Sequence, residues 1–200
     1  MTHMPASRPY HHGDLRAALL KSAERTLRDK GAGALSLREL ARDIGVSHAA
    51  PGRHFKDKQA LLDALALTGY ERLIRALRSA DTPGLPLPQR LTSLARAYLG
   101  FAIDNPALLE LMFARKHEPD AQLADAVERS IGSLTHLVAD AQQRGELVAG
   151  DPERITMVMA ASLHGLAALV ASCALPAQEA LDGLDDHVHH LLHGLTPRRP

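Results

Sequence analysis

The stretch Ser36-Leu37-Arg38-Glu39-Leu40-Ala41-Arg42-Asp43-Ile44-Gly45-Val46-Ser47-His48-Ala49-Ala50-Pro51-Gly52-Arg53-His54-Phe55 decides how this chain folds. Ser36 and Glu39 have the spacing of a capping box, with Leu35 and Leu40 placed as a hydrophobic staple. Leu37, Leu40, Ala41 and Ile44 then fall on one helical face, and Gly45 stops the helix after barely two turns. Ser47 can cap a second helix at once, predicted to stop near Phe55. Two short helices that cross steeply need small residues where they meet. Ala41 is small, Gly45 can take positive φ in the turn, and Val46 fills the wedge. This is the pattern of a helix-turn-helix, whose second helix lays its N-terminal residues against base edges in the major groove. An ordinary helical hairpin would satisfy the same packing rule.

The flanks favour the nucleic-acid reading. Arg38 falls in the first turn of one helix, and Lys58 in the first turn of the next, behind its cap Asp57. A cation there opposes the helix dipole. A phosphate bound across those N-termini would explain both, the alternative being solvated surface charge. The second helix would present Ser47, His48, Ala49 and Arg53 to double-stranded DNA, with His54 either a further contact or a packing residue. Formal net charge is zero, but residues 1–58 carry 11 Lys+Arg against 6 Asp+Glu, whereas residues 59–200 carry 12 against 17. A basic head on an acidic body suits a polyanion partner.

Working outward, Leu15, Leu19, Ala23 and Leu27 predict a helix over 13–30 that ends at Gly31 and Gly33, behind a polar tail, 1–9. A further helix runs from Asp57 to about Ser79, with Leu62, Leu65, Gly69 and Leu73 on one face. Three prolines and a glycine between Asp81 and Pro88 mark a boundary between a head, 1–80 (core 13–60), and a body, 81–200. In the body, helices are expected at 88–104, 106–116, 119–144, 152–174 and 177–194, with Asp151-Pro152 an N-cap and N1 pair. Hydrophobic residues make up 46% of the 200-residue chain and aromatics only 3%. That Leu- and Ala-rich balance points to an all-α protein.

Several function classes are disfavoured. The single cysteine, Cys173, forms no intramolecular disulfide and lies in an apolar helix without a cation to activate it. No phosphate-binding glycine loop or catalytic set is present, so neither an enzyme nor a cofactor is expected. His189 and His193 share a helical face, with Asp186 the one nearby residue that could extend a ligand set; a solvated face is expected in place of a metal site, a pH-sensitive contact being the other reading. No basic-then-apolar leader opens the chain, and a cytoplasmic location is expected. Ile155–Ala177 lacks Asp, Glu, Lys and Arg, but its His164, Gly165, hydroxyl residues and alanines suit a helix buried in a bundle or interface better than a membrane span.

Leu37-Arg38-Glu39-Leu40-Ala41, Gly45-Val46-Ser47, Arg53-His54-Phe55 and Asp57-Lys58-Gln59-Ala60-Leu61-Leu62 together resemble the DNA-binding region of TetR-family transcriptional regulators. Tyr10-His11-His12-Gly13-Asp14-Leu15 resembles a subgroup with a Trp-x-x-x-His-Gly signature in its C-terminal domain. Here His164-Gly165 stands in the matching place, with Ala160 at the tryptophan position. The resemblance implies a three-helix head, a helical effector-binding and dimerisation domain, a homodimer on a palindromic operator, and repression released by a small molecule. It also implies a phosphate-contacting tyrosine where this chain has Gly52. Proline removes an amide donor and glycine costs roughly 1 kcal/mol inside a helix, so Pro51-Gly52 predicts a weak recognition helix. A head degenerate for DNA on a dimeric ligand-binding protein is the alternative.

The residues of the body fit that expectation. Ala160, Ala161, Gly165 and Ala168 allow close helix approach. Tyr98, Phe101, Met112, Phe113, Met157 and His164, large or polar on Leu/Ala helices, are the candidates for an effector pocket, although each is also a reasonable core residue. Few aromatics and no charge with a buried pattern favour a neutral, apolar effector.

Overall fold

The computed structural model describes residues 15–114 and 119–194. All regular structure among them is helical. The chain divides into two compact units, 1–65 and 66–200. That division falls within a helix, upstream of the Pro-rich segment 81–88. The tail 1–9 and the motif residues Tyr10–Asp14 lie outside the described residues.

In the first unit, α1 (Leu15–Lys30) buries Leu19, Ala23 and Leu27. A short 3₁₀ turn, Ala32–Ala34, leads to α2 (Leu37–Asp43). Ser36 has the extended backbone of an N-cap, but its side chain makes no capping bond. The expected capping box is therefore not formed. Glu39 turns instead toward Arg42, 3.9 Å away. Leu35 and Leu40 are buried as the staple requires.

The stop of α2 is closed by the backbone. Gly45 takes φ +73°. The Val46 amide donates to the Ala41 carbonyl at 2.9 Å and the Gly45 amide to Arg42 at 3.1 Å. This pair of bonds is the Schellman arrangement, and it needs the left-handed residue that glycine supplies cheaply.

The expected second α-helix over 47–55 is absent. The segment is a turn followed by one 3₁₀ turn, Pro51–Arg53. Ala50 bonds back to Ser47, and both His54 and Phe55 to Pro51, at 2.9–3.0 Å. The missing proline amide and the adjacent glycine leave no continuous ladder. Pro51 and Phe55 are nonetheless buried, and Arg16 lies 5.5 Å over the Phe55 ring. The segment is thus pinned by two apolar anchors rather than by helical bonding. At α3 (Lys58–Ala80), Asp57 caps as expected, accepting from the Ala60 amide at 2.8 Å.

The second unit takes α3 from Ala66 onward and adds α4 (Leu87–Asp104), α5 (Pro106–Phe113), α6 (Ala121–Gln143), α7 (Pro152–Ala171), α8 (Ala177–Asp182) and α9 (Leu184–His193). The helix expected over 177–194 is two, because Gly183 ends α8 and starts α9. Asp120 and Asp151 cap α6 and α7 through their side chains. Each such cap contributes about 1 kcal/mol. Arg90 clamps Asp81 with two bonds at 2.9 and 3.0 Å, tying the connection after α3 to α4. Helix α4 packs against α7 and α9, and α6 against α7.

One expectation about α7 fails within a single chain. Only Thr156 and Ala167 are buried on this helix, while Met157 is 63% and Val158 64% exposed. By length and composition α7 is the one helix among the described residues that could cross a membrane.

Candidate nucleic-acid interface and effector cavity

In the first unit, burial sorts the residues of the turn and the segment after it. Pro51 and Phe55 point into the core, while Ser47, His48, Ala49, Gly52, Arg53 and His54 are exposed. His54, left open between contact and packing, lies on the exposed set. Arg38, Arg42 and Lys56 are exposed as well. Lys56 was not singled out from the sequence, because a lone lysine between a buried aromatic and a capping aspartate carries no pattern. Lys58 is half-buried, and its ammonium donates to the Gly33 carbonyl at 2.9 Å. The need for a phosphate to explain a cation at that helix start is therefore gone: Lys58 braces the 3₁₀ turn after α1. Arg38 keeps the original argument. A Cβ at Gly52 would meet open space, and its φ is ordinary, so no backbone constraint demands glycine there.

The second unit contains a partly open cavity of about 520 Å³, within the ~300–1,000 Å³ of drug-sized ligand sites. Its walls come from α3, α4, α5, α6, α7 and α9, and they are overwhelmingly apolar. Tyr70 and Arg78 of α3 mark its extent; at 1.5 Å per residue they lie ~12 Å apart along that helix. Of the six candidates, Tyr98, Phe113, Met157 and His164 line it. Phe101 and Met112 do not: both are core, at 8% and 1% exposure. Met112 is held under Gly69, where an added Cβ would stand 2.6 Å from its sulfur. The Tyr70 hydroxyl donates to the Met112 carbonyl at 3.1 Å.

The polar feature of the cavity is a pair. The Tyr98 hydroxyl is 2.8 Å from His164 Nδ1. The Phe113 ring lies tilted against the His164 ring at 4.2 Å, and Tyr70 tilted against Phe113 at 6.4 Å. Burial, and secondarily the neighbouring Tyr70, raises the Tyr98 pKa, so its hydroxyl keeps its proton. Arg78, Asp81 and Arg129 add charge to the lining, but Asp81 is held by Arg90, and Arg129 by Asp125 at 2.7 Å. These lining charges, and Tyr70, escaped the sequence reading because which helix faces line a cavity depends on long-range packing.

The histidines of α9 do not form a metal set: among the described residues no group of three or more His, Cys, Asp or Glu is placed to hold one. His189 and His193 stack at 4.3 Å, and the His193 ring is 3.0 Å from the His189 carbonyl. His187 lies 3.0 Å from the Ser162 hydroxyl of α7, and burial, then the neighbouring His190, lowers its pKa.

Two family models match this chain. Residues 19–65 match the bacterial regulatory proteins of the tetR family, and residues 91–195 match the tetracyclin repressor-like C-terminal domain. An HTH-type transcriptional regulator of Mycobacterium tuberculosis is 28% identical over 139 residues, 66% of this chain and 59% of that protein. The chain thus spans under two thirds of that relative's length. Another HTH-type regulator, YobS of Bacillus subtilis, is 25% identical over 83% of this chain and 84% of its own. Among solved structures, a Rhodococcus protein of unknown function is 42% identical with TM-score 0.80, covering 96% of this chain and 100% of that one. A second Rhodococcus structure, a tetR-family regulator, shares the fold at 24% identity and TM-score 0.72.

Proposed function

Since this chain belongs to the TetR family of bacterial transcriptional regulators, we propose that it is a homodimeric, sequence-specific repressor that leaves its palindromic operator when a small, largely apolar molecule enters the cavity. The observation that carries the DNA-binding reading is the run of exposed Ser47, His48, Ala49, Gly52, Arg53 and His54, held by buried Pro51 and Phe55 behind a closed Gly45 turn. The exposed Ser47, His48, Arg53 and His54 supply base-edge contacts, and Arg38, Arg42 and Lys56 supply phosphate contacts.

The dimer reading is supported by α7. Val158, Ala161, Gly165, Ala168 and Leu169 are all exposed at helical spacing, and nothing stands within 4 Å of a Cβ built at Gly165. An apolar face of small residues suits close packing with a second copy in the cytoplasm. Two heads would then reach successive major grooves ~34–36 Å apart. The effector releases DNA only insofar as it binds the non-DNA conformation more tightly.

Selection from a random DNA pool at about 150 mM salt tests this. A palindromic site is the expected result. A second reading, a head without sequence preference, is favoured by the 3₁₀ geometry of Pro51–Arg53. It predicts no enriched motif and only weak, steeply salt-dependent binding.

A further inference from the structure

We propose that the cavity takes a neutral, elongated, largely apolar molecule with one hydrogen-bond-accepting oxygen, a carbonyl or ester, received by the His164 imidazole beside Tyr98. This rests on the effector-cavity reading above and names the class of molecule.

Tyr98 is half-buried in the wall, its phenol stays protonated, and its hydroxyl points at a ring nitrogen of His164. With the phenol as donor, His164 Nδ1 at 2.8 Å is its acceptor. A neutral imidazole that accepts at Nδ1 carries its proton at Nε2. That Nε2–H has no protein partner among the described residues. Phe113, tilted against the ring at 4.2 Å, and the Tyr98 bond fix the ring's orientation. In a mostly apolar lining the Tyr98–His164 pair thus offers an oriented donor, and an acceptor oxygen is its complement. Leaving that donor unpaired against an apolar ligand carries a desolvation cost, which is the origin of selectivity.

Length and charge narrow the class. The wall continues from Tyr70 past Leu73, Ile74 and Leu77, which calls for a long apolar portion. Among the described residues, the Phe113 ring lies against His164 at that end of the lining. At the other end Arg78 shares the lining with Asp81, itself clamped by Arg90, and with Arg129, paired to Asp125, so an anionic head at Arg78 is the competing class that the Arg78→Gln arm below tests. The sequence favoured a neutral effector for want of buried charge; the Tyr98–His164 pair adds a polar contact that such a molecule would make.

The test is displacement of the neutral dye Nile red from the full-length dimer at pH 7.5 by methyl decanoate, dodecene and decanoate, with dye fluorescence as readout and no DNA present. In His164→Phe, which preserves an aromatic ring against Phe113, methyl decanoate is expected to weaken about tenfold, the loss of one buried hydrogen bond, while dodecene stays within about twofold. Retained dodecene binding shows that the variant is folded. His164→Gln, which restores an N–H donor, should recover part of the ester affinity. Decanoate should bind the wild type less tightly than its methyl ester. The proposal is overturned if the ester is indifferent to His164→Phe, or if decanoate binds more tightly than the ester and loses that advantage in Arg78→Gln. Failure of Nile red to bind the folded dimer at all would overturn the effector-cavity reading itself, and this class with it.

Discussion

Gly52 is where a single substitution should strengthen DNA binding. Its Cβ would enter open space, its φ is ordinary, and the residue is exposed, so replacement introduces no clash. The segment around it is held by buried Pro51 and Phe55 but has only a 3₁₀ turn between them. Gly52→Ala removes backbone freedom from the unordered state, an effect of about 0.4–1 kcal/mol. If the segment must order on DNA, apparent affinity scales with the fraction already ordered, so alanine should tighten binding about two- to fivefold. Gly52→Tyr adds the phosphate contact that the family resemblance implies at this position. A hydrogen bond to a charged group contributes about 1.5–3 kcal/mol, and solvent exposure and salt place the gain at the lower end, about tenfold beyond alanine. Fluorescence anisotropy on the selected operator at about 150 mM salt, together with one unrelated duplex, reads both effects. Alanine should change the two duplexes alike. Tyrosine should reduce the dissociation constant on both, with a steeper salt dependence by about one phosphate. If neither substitution moves operator affinity beyond error while both proteins remain folded, the idea that Pro51-Gly52 weakens this head is wrong.

Three further outcomes are expected. Gly165→Arg places a charged side chain on the exposed face of α7 where a single chain has open space, so sedimentation should show a folded monomer; an intact dimer would move the interface elsewhere. Thr156 is buried with a hydroxyl that has no partner among the described residues, so Thr156→Val should raise stability by about 1 kcal/mol, or ~2–4 °C in melting temperature, and an unchanged or lower value would mean the hydroxyl is satisfied. His187 has its pKa lowered in the folded state by burial, so the unfolded chain binds more protons as pH falls through 6.5. Its contribution is therefore present above that pH and is lost on acidification. Chemical denaturation at pH 7.5 and 5.5 should show His187→Gln losing less stability than the wild type, and equal losses would refute the assignment.

Much of this molecule was already legible in its residues. The helix content follows from Leu and Ala in place of β-branched and aromatic residues. The α2 turn follows from Ala41, Gly45 and Val46, because a left-handed residue at one position is a local demand that sequence states directly. The weakness of the segment after Ser47 was equally local: a proline and a glycine side by side cannot sustain a helical ladder, and they yield one 3₁₀ turn. What sequence could not decide was which members of a local pattern are used by distant partners. Ser36 has capping spacing but makes no capping bond, Lys58 is taken by the Gly33 carbonyl, and Met112 is buried under Gly69 while Phe113, its neighbour, lines the cavity. The Tyr98–His164 pair joins residues 66 positions apart. Helical periodicity assigns a residue to a face, but only the packing of the other helices determines whether that face meets core, cavity or solvent.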